Sequence, residues 1–139
     1  MKILITGTNG FIGRNLLEHF QNKFEFVFSP KRKELNILDT DAVESYIKRN
    51  KFDIIIHCCV TLTSIEDNLK MYFNLERMSD FYGKLICIGS GAEFDKRNYI
   101  PKMTEEYFSK YIPSKLDIYG YSKFIIAQDI QKKKEIFLI

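Results

Sequence analysis

Tyr119 and Lys123 stand four residues apart in Tyr119-Gly120-Tyr121-Ser122-Lys123. On a helix that spacing brings both side chains to one face. An ammonium beside a phenol favours the phenolate, and the pair can then take a proton from, or return it to, a substrate hydroxyl. The spacing also suits an aromatic ring packed on a lysine stem. Tyr111 and Lys115 repeat it, but Pro113 lies between them and disfavours a helix there. A third polar group, Ser90, follows an apolar run in Ile88-Gly89-Ser90-Gly91-Ala92. In open α/β sheets ligands bind beyond the strand carboxyl ends. There Ser90 can hold a substrate oxygen toward Tyr119; a polar loop residue after a strand is the plainer alternative.

A different chemistry is written at the start of the chain. Lys2-Ile3-Leu4-Ile5-Thr6 runs straight into glycines at 7, 10 and 13. The pattern predicts a buried strand, a tight turn and the first turn of a helix. Glycine lets the main chain turn and approach a ligand closely, and the free N–H groups at a helix start favour an anion. A dinucleotide pyrophosphate suits that site; a plain strand–helix turn is the alternative.

The elements that must position these groups alternate along the chain. Strands are expected at about 2–6, 24–28, 34–37, 53–58 and 84–89, with a sixth beginning at Glu135. Helices are expected at about 10–21, 41–50, 65–82 and 119–133, the first burying Phe11, Leu16, Leu17 and Phe20, the second burying Val43, Tyr46 and Ile47 after an Asp39 or Thr40 cap. Alternation of this kind predicts an α/β parallel sheet covered on both faces, in strand order 3-2-1-4-5-6.

Bulk composition excludes several classes. A chain of 139 residues supports one domain, and 45% hydrophobic with 28% charged residues is an ordinary globular balance. A net charge of +3 argues for neither nucleic acid nor a membrane surface, and Lys132-Lys133-Lys134 reads as a solvated helix end. No apolar run approaches the roughly 20 residues of a membrane span, and because Lys2 leads directly into the first strand, no signal peptide is expected. Cys58 and Cys59 are adjacent and so point to opposite strand faces, poor geometry for a shared disulfide or metal. With Cys87 they read as buried thiols in a reducing cytoplasm, and His19 and His57 have no clustered partners, so no metal site is expected.

Taken in order, these motifs resemble the extended short-chain dehydrogenase/reductase family, and within it the NAD(P)-dependent sugar-nucleotide epimerases, dehydratases and reductases. The matching segments are Thr6-Gly7-Thr8-Asn9-Gly10-Phe11-Ile12-Gly13, Asp53-Ile54-Ile55-Ile56-His57-Cys58-Cys59, Ser90 and the Tyr119–Lys123 pair; the two cysteines depart from the small residues usual there. The resemblance implies a Rossmann-type doubly wound fold over 1–139. It implies a cofactor cradle at Gly7, Asn9, Gly10, Phe11, Ile12 and Gly13, and catalytic roles for Ser90, Tyr119 and Lys123. Lys123 would also hold the nicotinamide ribose. Asn68, with Asn74 as rival, would match a helix asparagine that supports a water near the lysine. The implied reaction is hydride transfer between a nucleotide-sugar carbon and the nicotinamide, with Tyr119 moving the proton.

No acidic residue ends the second expected strand; Lys31, Arg32 and Lys33 follow it instead. An acidic residue there reads the ribose hydroxyls of NAD, whereas cations suit a 2′-phosphate, so NADP is favoured over NAD. Arg14 is a second candidate cation, and solvated surface cations are the alternative. The stretch 33–39 resembles the GDP-fucose synthase branch and puts Asp39 near the adenine end. Proteins of this family are longer, and their substrate lobe follows the sixth strand. The expectation is therefore an incomplete member: either a nucleotide-sugar enzyme that needs a C-terminal partner segment, or a dinucleotide-binding module without catalysis. Apolar residues 136–139 at a sheet edge predict self-association, and the helices at 65–82 and 119–133 correspond to a dimer bundle in the family.

Overall fold

Ile3 and Ile5 pack to one side of the first strand and Leu4 to the other, and all three are buried. That strand, β1 (Lys2–Thr6), is central to the fold seen in a computed structural model, which describes residues 1–133 and 136–139. It pairs in parallel with β2 (Phe26–Phe28) on one side and β3 (Ile54–His57) on the other. β4 (Lys84–Cys87) and β5 (Ile136–Leu138) extend the sheet to the order β2-β1-β3-β4-β5, all parallel. Glu135, where the last strand was expected to start, and Lys134 of the lysine run lie outside the described residues.

Helix α1 (Phe11–Gln21) packs over β1 and β2 on the face of Ile3, Ile5 and Ile56. Helices α2 (Thr40–Asn50), α3 (Ile65–Glu76) and α4 (Ile118–Ile130) supply the opposite core, where Val43, Ile47, Tyr72, Leu75 and Ile126 meet Leu4, Ile55 and Leu85. Cys58 packs with the first face and Cys59 against the second, as their adjacency requires. Every one of the three cysteines is a free thiol. No helix among the described residues is long and apolar enough to cross a membrane.

Four expectations are corrected. No strand forms at 34–37: the backbone there is spent on turns, with Glu34 and Leu35 N–H on the Lys31 carbonyl and Asp39 N–H on Asn36. The Ile37 carbonyl accepts from Asn74 Nδ2 at 2.8 Å, and Leu35 and Ile37 plug the core as turn residues. Among the described residues the sheet therefore has five strands, and the other neighbours stand in the expected sequence. Phe11 is 84% exposed, because the first residue of α1 overhangs the sheet end. The helix expected at 65–82 stops at Glu76 and gives way to a 3-10 turn at Ser79–Phe81. In the lysine run, Lys133 is no free surface cation: it pairs with Glu76 at 2.6 Å, joining the end of α4 to α3.

Candidate functional site

The carboxyl ends of β1, β2 and β3 open into a crevice of about 510 Å³. Its floor is the turn after β1, Thr6 to Gly10; one wall carries Lys31, Arg32 and Leu35 to Leu38, the other Cys58 to Thr61. Gly7 holds φ +74°, a left-handed backbone that costs other residues strain. A Cβ there would also lie 2.7 Å from the Cys58 backbone, so the turn is pressed against the end of β3. Gly10 opens α1 with no side-chain cap and no acidic residue in the first turn. The other three α-helices are capped, by Asp39, Ser64 and Asp117. The first N–H groups of α1 are thus left for an outside acceptor.

These observations decide whether a dinucleotide fits. The crevice has the size of a small-molecule site, its floor is bare main chain, and the uncapped start of α1 meets it. Gly7, Asn9 and Gly10 line it; Phe11 and Ile12 are exposed beside it and Gly13 is buried beneath. Arg32 lines the wall, with Lys31. Lys33 does not line it, and Asp39 is committed elsewhere: its Oδ1 accepts from Ala42 N–H at 3.0 Å as the α2 cap. Asn36 and Ile37 occupy the wall instead. Sequence reading missed that wall, since nothing local in 35–38 marks it.

Helix α4 carries the proposed acid–base pair. Lys123 Nζ lies 5.9 Å from the Tyr119 ring centroid, on one face. Lys123 is 8% exposed and donates to the Ile88 carbonyl at the end of β4. The rival pair does not form, because Lys115 stacks on Tyr121. Ser90 caps the 3-10 turn Gly91–Glu93 in a capping box: its Oγ accepts from Ala92 N–H, and its own N–H donates to Glu93 Oε1 at 2.7 Å. Burial pushes the Glu93 carboxyl above its ordinary range, against the Ser90 N–H and the Lys123 charge. Gly120 lets this turn seat on α4, for a Cβ there would meet the Ala92 carbonyl at 2.7 Å.

Asn68 and Asn74 separate cleanly. Asn74 bonds the Ile37 carbonyl and Thr40 and does not line the cavity that holds Lys123. Asn68 donates to Thr61 O and Ser122 Oγ and shares a small cavity with Lys123 and His57. Cys59 and Val60 line both that cavity and the large crevice, so the lysine adjoins the dinucleotide-sized space. Burial, then the Lys123 charge, lowers the His57 pKa to about 3. Burial raises the Cys58 and Cys87 thiols to about 11 and about 12.

The family model described as NAD dependent epimerase/dehydratase family matches residues 3–135. A GDP-L-colitose synthase of Yersinia pseudotuberculosis is 39% identical over 110 residues, covering 69% of this chain and 35% of that protein. The methionine adenosyltransferase 2 subunit beta of Rattus norvegicus is 31% identical over 140 residues, covering 88% of this chain and 40% of its own. Among solved structures, a GDP-mannoheptose C4 reductase from Campylobacter jejuni with NADP bound superposes with a TM-score of 0.84 at 23% identity, over 94% of this chain and 43% of that one. The chain spans less than half the length of each of these relatives.

Proposed function

We propose a function from one premise: the chain belongs to the NAD dependent epimerase/dehydratase family. It binds NADP(H) across the strand ends and brings Ser90, Tyr119 and Lys123 to ketone–alcohol exchange on a nucleotide sugar, in the cytosol. The observation that carries this is Lys123, which shares a face of α4 with Tyr119 and lines the small cavity that meets the glycine-floored crevice at Cys59 and Val60. Relatives named for GDP-linked sugars make a guanosine diphosphate sugar the first substrate class to try.

When bound, the dinucleotide supplies the redox step. The chain's own residues do the rest. Gly7, Asn9, Gly10, Phe11, Ile12 and Gly13 present main chain and the α1 dipole to the pyrophosphate. Arg32, with Lys31, faces the adenosine 2′-phosphate, and Asp39 fixes the α2 start beside the adenine wall. The Ser90 Oγ accepts from Ala92 N–H and keeps its own hydrogen to donate to the substrate oxygen. Tyr119 moves the proton at that oxygen, and the Lys123 ammonium steadies the charge that develops on the phenol.

A second reading has its own support. The subunit beta relative aligns over 88% of this chain, which suits a dinucleotide-binding module that serves a larger assembly without chemistry of its own. Titration with NADPH and NADH, followed by nicotinamide fluorescence, comes first. Saturable binding with NADPH the tighter ligand is expected, and no binding of either sinks both readings. GDP-linked 4-keto sugars with deuterated NADPH come next. Transfer of the label supports the enzyme; binding without transfer supports the module.

A further inference from the structure

The chain leaves β4 through Ile88 and Gly89 to reach Ser90, and distant groups hold that link. The Ile88 carbonyl accepts from Lys123 Nζ. Gly89 N–H donates to the Ile139 carbonyl at 2.6 Å. Ser90 N–H donates to Glu93 Oε1 at 2.7 Å. Lys123 and Glu93 thus hold adjacent peptide groups, one on each side of the Gly89 α-carbon.

Glu93 is 6% exposed. A glutamate is seldom buried so far without a partner, and the room for this one comes from Gly89. A Cβ at position 89 would lie 2.9 Å from Glu93 Oε1, with Leu138 Cγ at 3.1 Å and the Ile139 carbonyl at 3.3 Å. A side chain at 89 and the carboxyl of Glu93 cannot both take that seat. The turn needs the carboxyl in turn. Gly91–Glu93 is a single 3-10 turn, and a Cβ at Gly91 would touch nothing, so packing does not brace it there. Of the two bonds in its capping box, Ala92 N–H to Ser90 Oγ is 3.2 Å, whereas Ser90 N–H to Glu93 is 2.7 Å. A hydrogen bond to an ionised acceptor is shorter and stronger than a neutral one. Glu93 therefore carries the larger share, and the Ser90 hydroxyl keeps its hydrogen.

We propose that Glu93 is a positioning residue for the reaction: its carboxylate, seated over Gly89 and bonded to Ser90 N–H, fixes the Ser90 hydroxyl relative to Lys123. The hold on Ser90 stands on geometry; its value to turnover rests on the role given to Ser90 above. Two charged groups bear on the carboxyl, Lys123 from α4, which favours the ionised form, and Glu105 from the turn Glu105–Tyr107, which opposes it.

In ¹⁵N-labelled protein the Ser90 amide reports this bond without any turnover. Across pH 4 to 8 its proton resonance is expected to lie downfield and to follow one carboxyl titration. Glu93→Gln leaves an acceptor there but nothing that titrates, so the resonance should stay downfield and stop answering to pH. Glu93→Leu and Gly89→Ala should each move it upfield. A carboxyl that serves only packing gives none of these responses, and a wild-type Ser90 amide indifferent to pH overturns the proposal. Should Glu93→Leu or Gly89→Ala not fold, the unchanged chain and Glu93→Gln decide. In turnover, label transfer from deuterated NADPH is expected to fall about ten-fold or more in Glu93→Leu, as for a lost charge-assisted hydrogen bond. Glu93→Gln should restore most of it, with NADPH affinity held in both. A wild-type rate in Glu93→Leu, or an equal loss in Glu93→Gln, also overturns the proposal. Label transfer by the wild type with an amide blind to pH leaves the enzyme reading and sinks the role of Glu93; an amide that follows pH without label transfer leaves the bond and sinks the enzyme reading.

Discussion

His57 couples the site to stability. Its folded pKa of about 3 lies below the ordinary 6.5, so the unfolded chain binds the extra proton between those values. Stability therefore rises with pH through that window and falls as pH drops from about 6.5 toward 3, at about 1.4 kcal/mol per unit for one proton. Glu93, whose carboxyl is raised, acts the other way, losing stability as pH rises past its unfolded value. The imidazole is isolated by comparison: urea midpoints of wild type are expected to fall between pH 7 and 5, and those of His57→Gln to fall less. Equal slopes would show that the ring is protonated in the fold. At the crevice wall, Arg32→Glu replaces a cation with an anion where the proposed function puts the 2′-phosphate. A charge-assisted hydrogen bond is worth about 1.5–3 kcal/mol, so NADPH affinity should drop ten-fold or more while NADH affinity holds. A parallel loss of both would mean that Arg32 shapes the wall and reads no phosphate.

Elements place these groups, and α4 does most of it. Its first turn seats the Ser90-capped turn at Gly120, its middle carries Lys123 to the end of β4, and its C-terminal end is tied to α3 through Tyr72 Oη on Asp129 at 2.7 Å and, just beyond the helix, Lys133 on Glu76. Gly120→Ala puts a methyl 2.7 Å from the Ala92 carbonyl. The Ser90 turn must then shift on α4. NADPH binding should survive within a few-fold while any ketosugar turnover falls by at least ten-fold; an unchanged rate would remove Ser90 from the reaction. The sequence announced these elements unequally. Continuous apolar runs marked β1, β3 and β4, and glycines at 7, 10 and 13 marked the turn, because both signals are local. Leu35 and Ile37 alternate like a strand, yet two side chains plugged into a core from a turn alternate too, and the turn bonds to Lys31 and Asn36 together with Asn74 on the Ile37 carbonyl distinguish them. Phe11 fits the helical stripe of α1 but overhangs the sheet. The closeness of His57 to Lys123, 66 residues on by the numbering, is a product of β3 and α4 packing and has no local trace.

At the scale of the molecule the two sheet faces are unlike. Helices α2, α3 and α4 bury the face of Leu4, Ile55 and Leu85, while α1 covers the opposite face over β1 and β2. Beyond it, the register aligns Ile56, Ile86 and Phe137 in one row across β3, β4 and β5. Exposure grows along that row, from a buried Ile56 through a half-buried Ile86 to Phe137 at 44%. Ile136, expected at an exposed edge, instead points into the core at 5%, whereas Ile139 is 73% exposed. Apolar surface of this kind, beside a strand paired on one side among the described residues, invites contact with another chain. Self-association of the chain as given is expected to run through this row. The double substitution Phe137→Lys and Ile139→Lys sets two like charges on the β5 edge, where they repel a second copy. Sedimentation should show wild type growing in mass with concentration and the double variant holding monomer mass across the same range. If both associate alike, the contact lies elsewhere, and the paired helices α3 and α4 become the surface to alter; if wild type stays monomeric throughout, the exposed row is not adhesive.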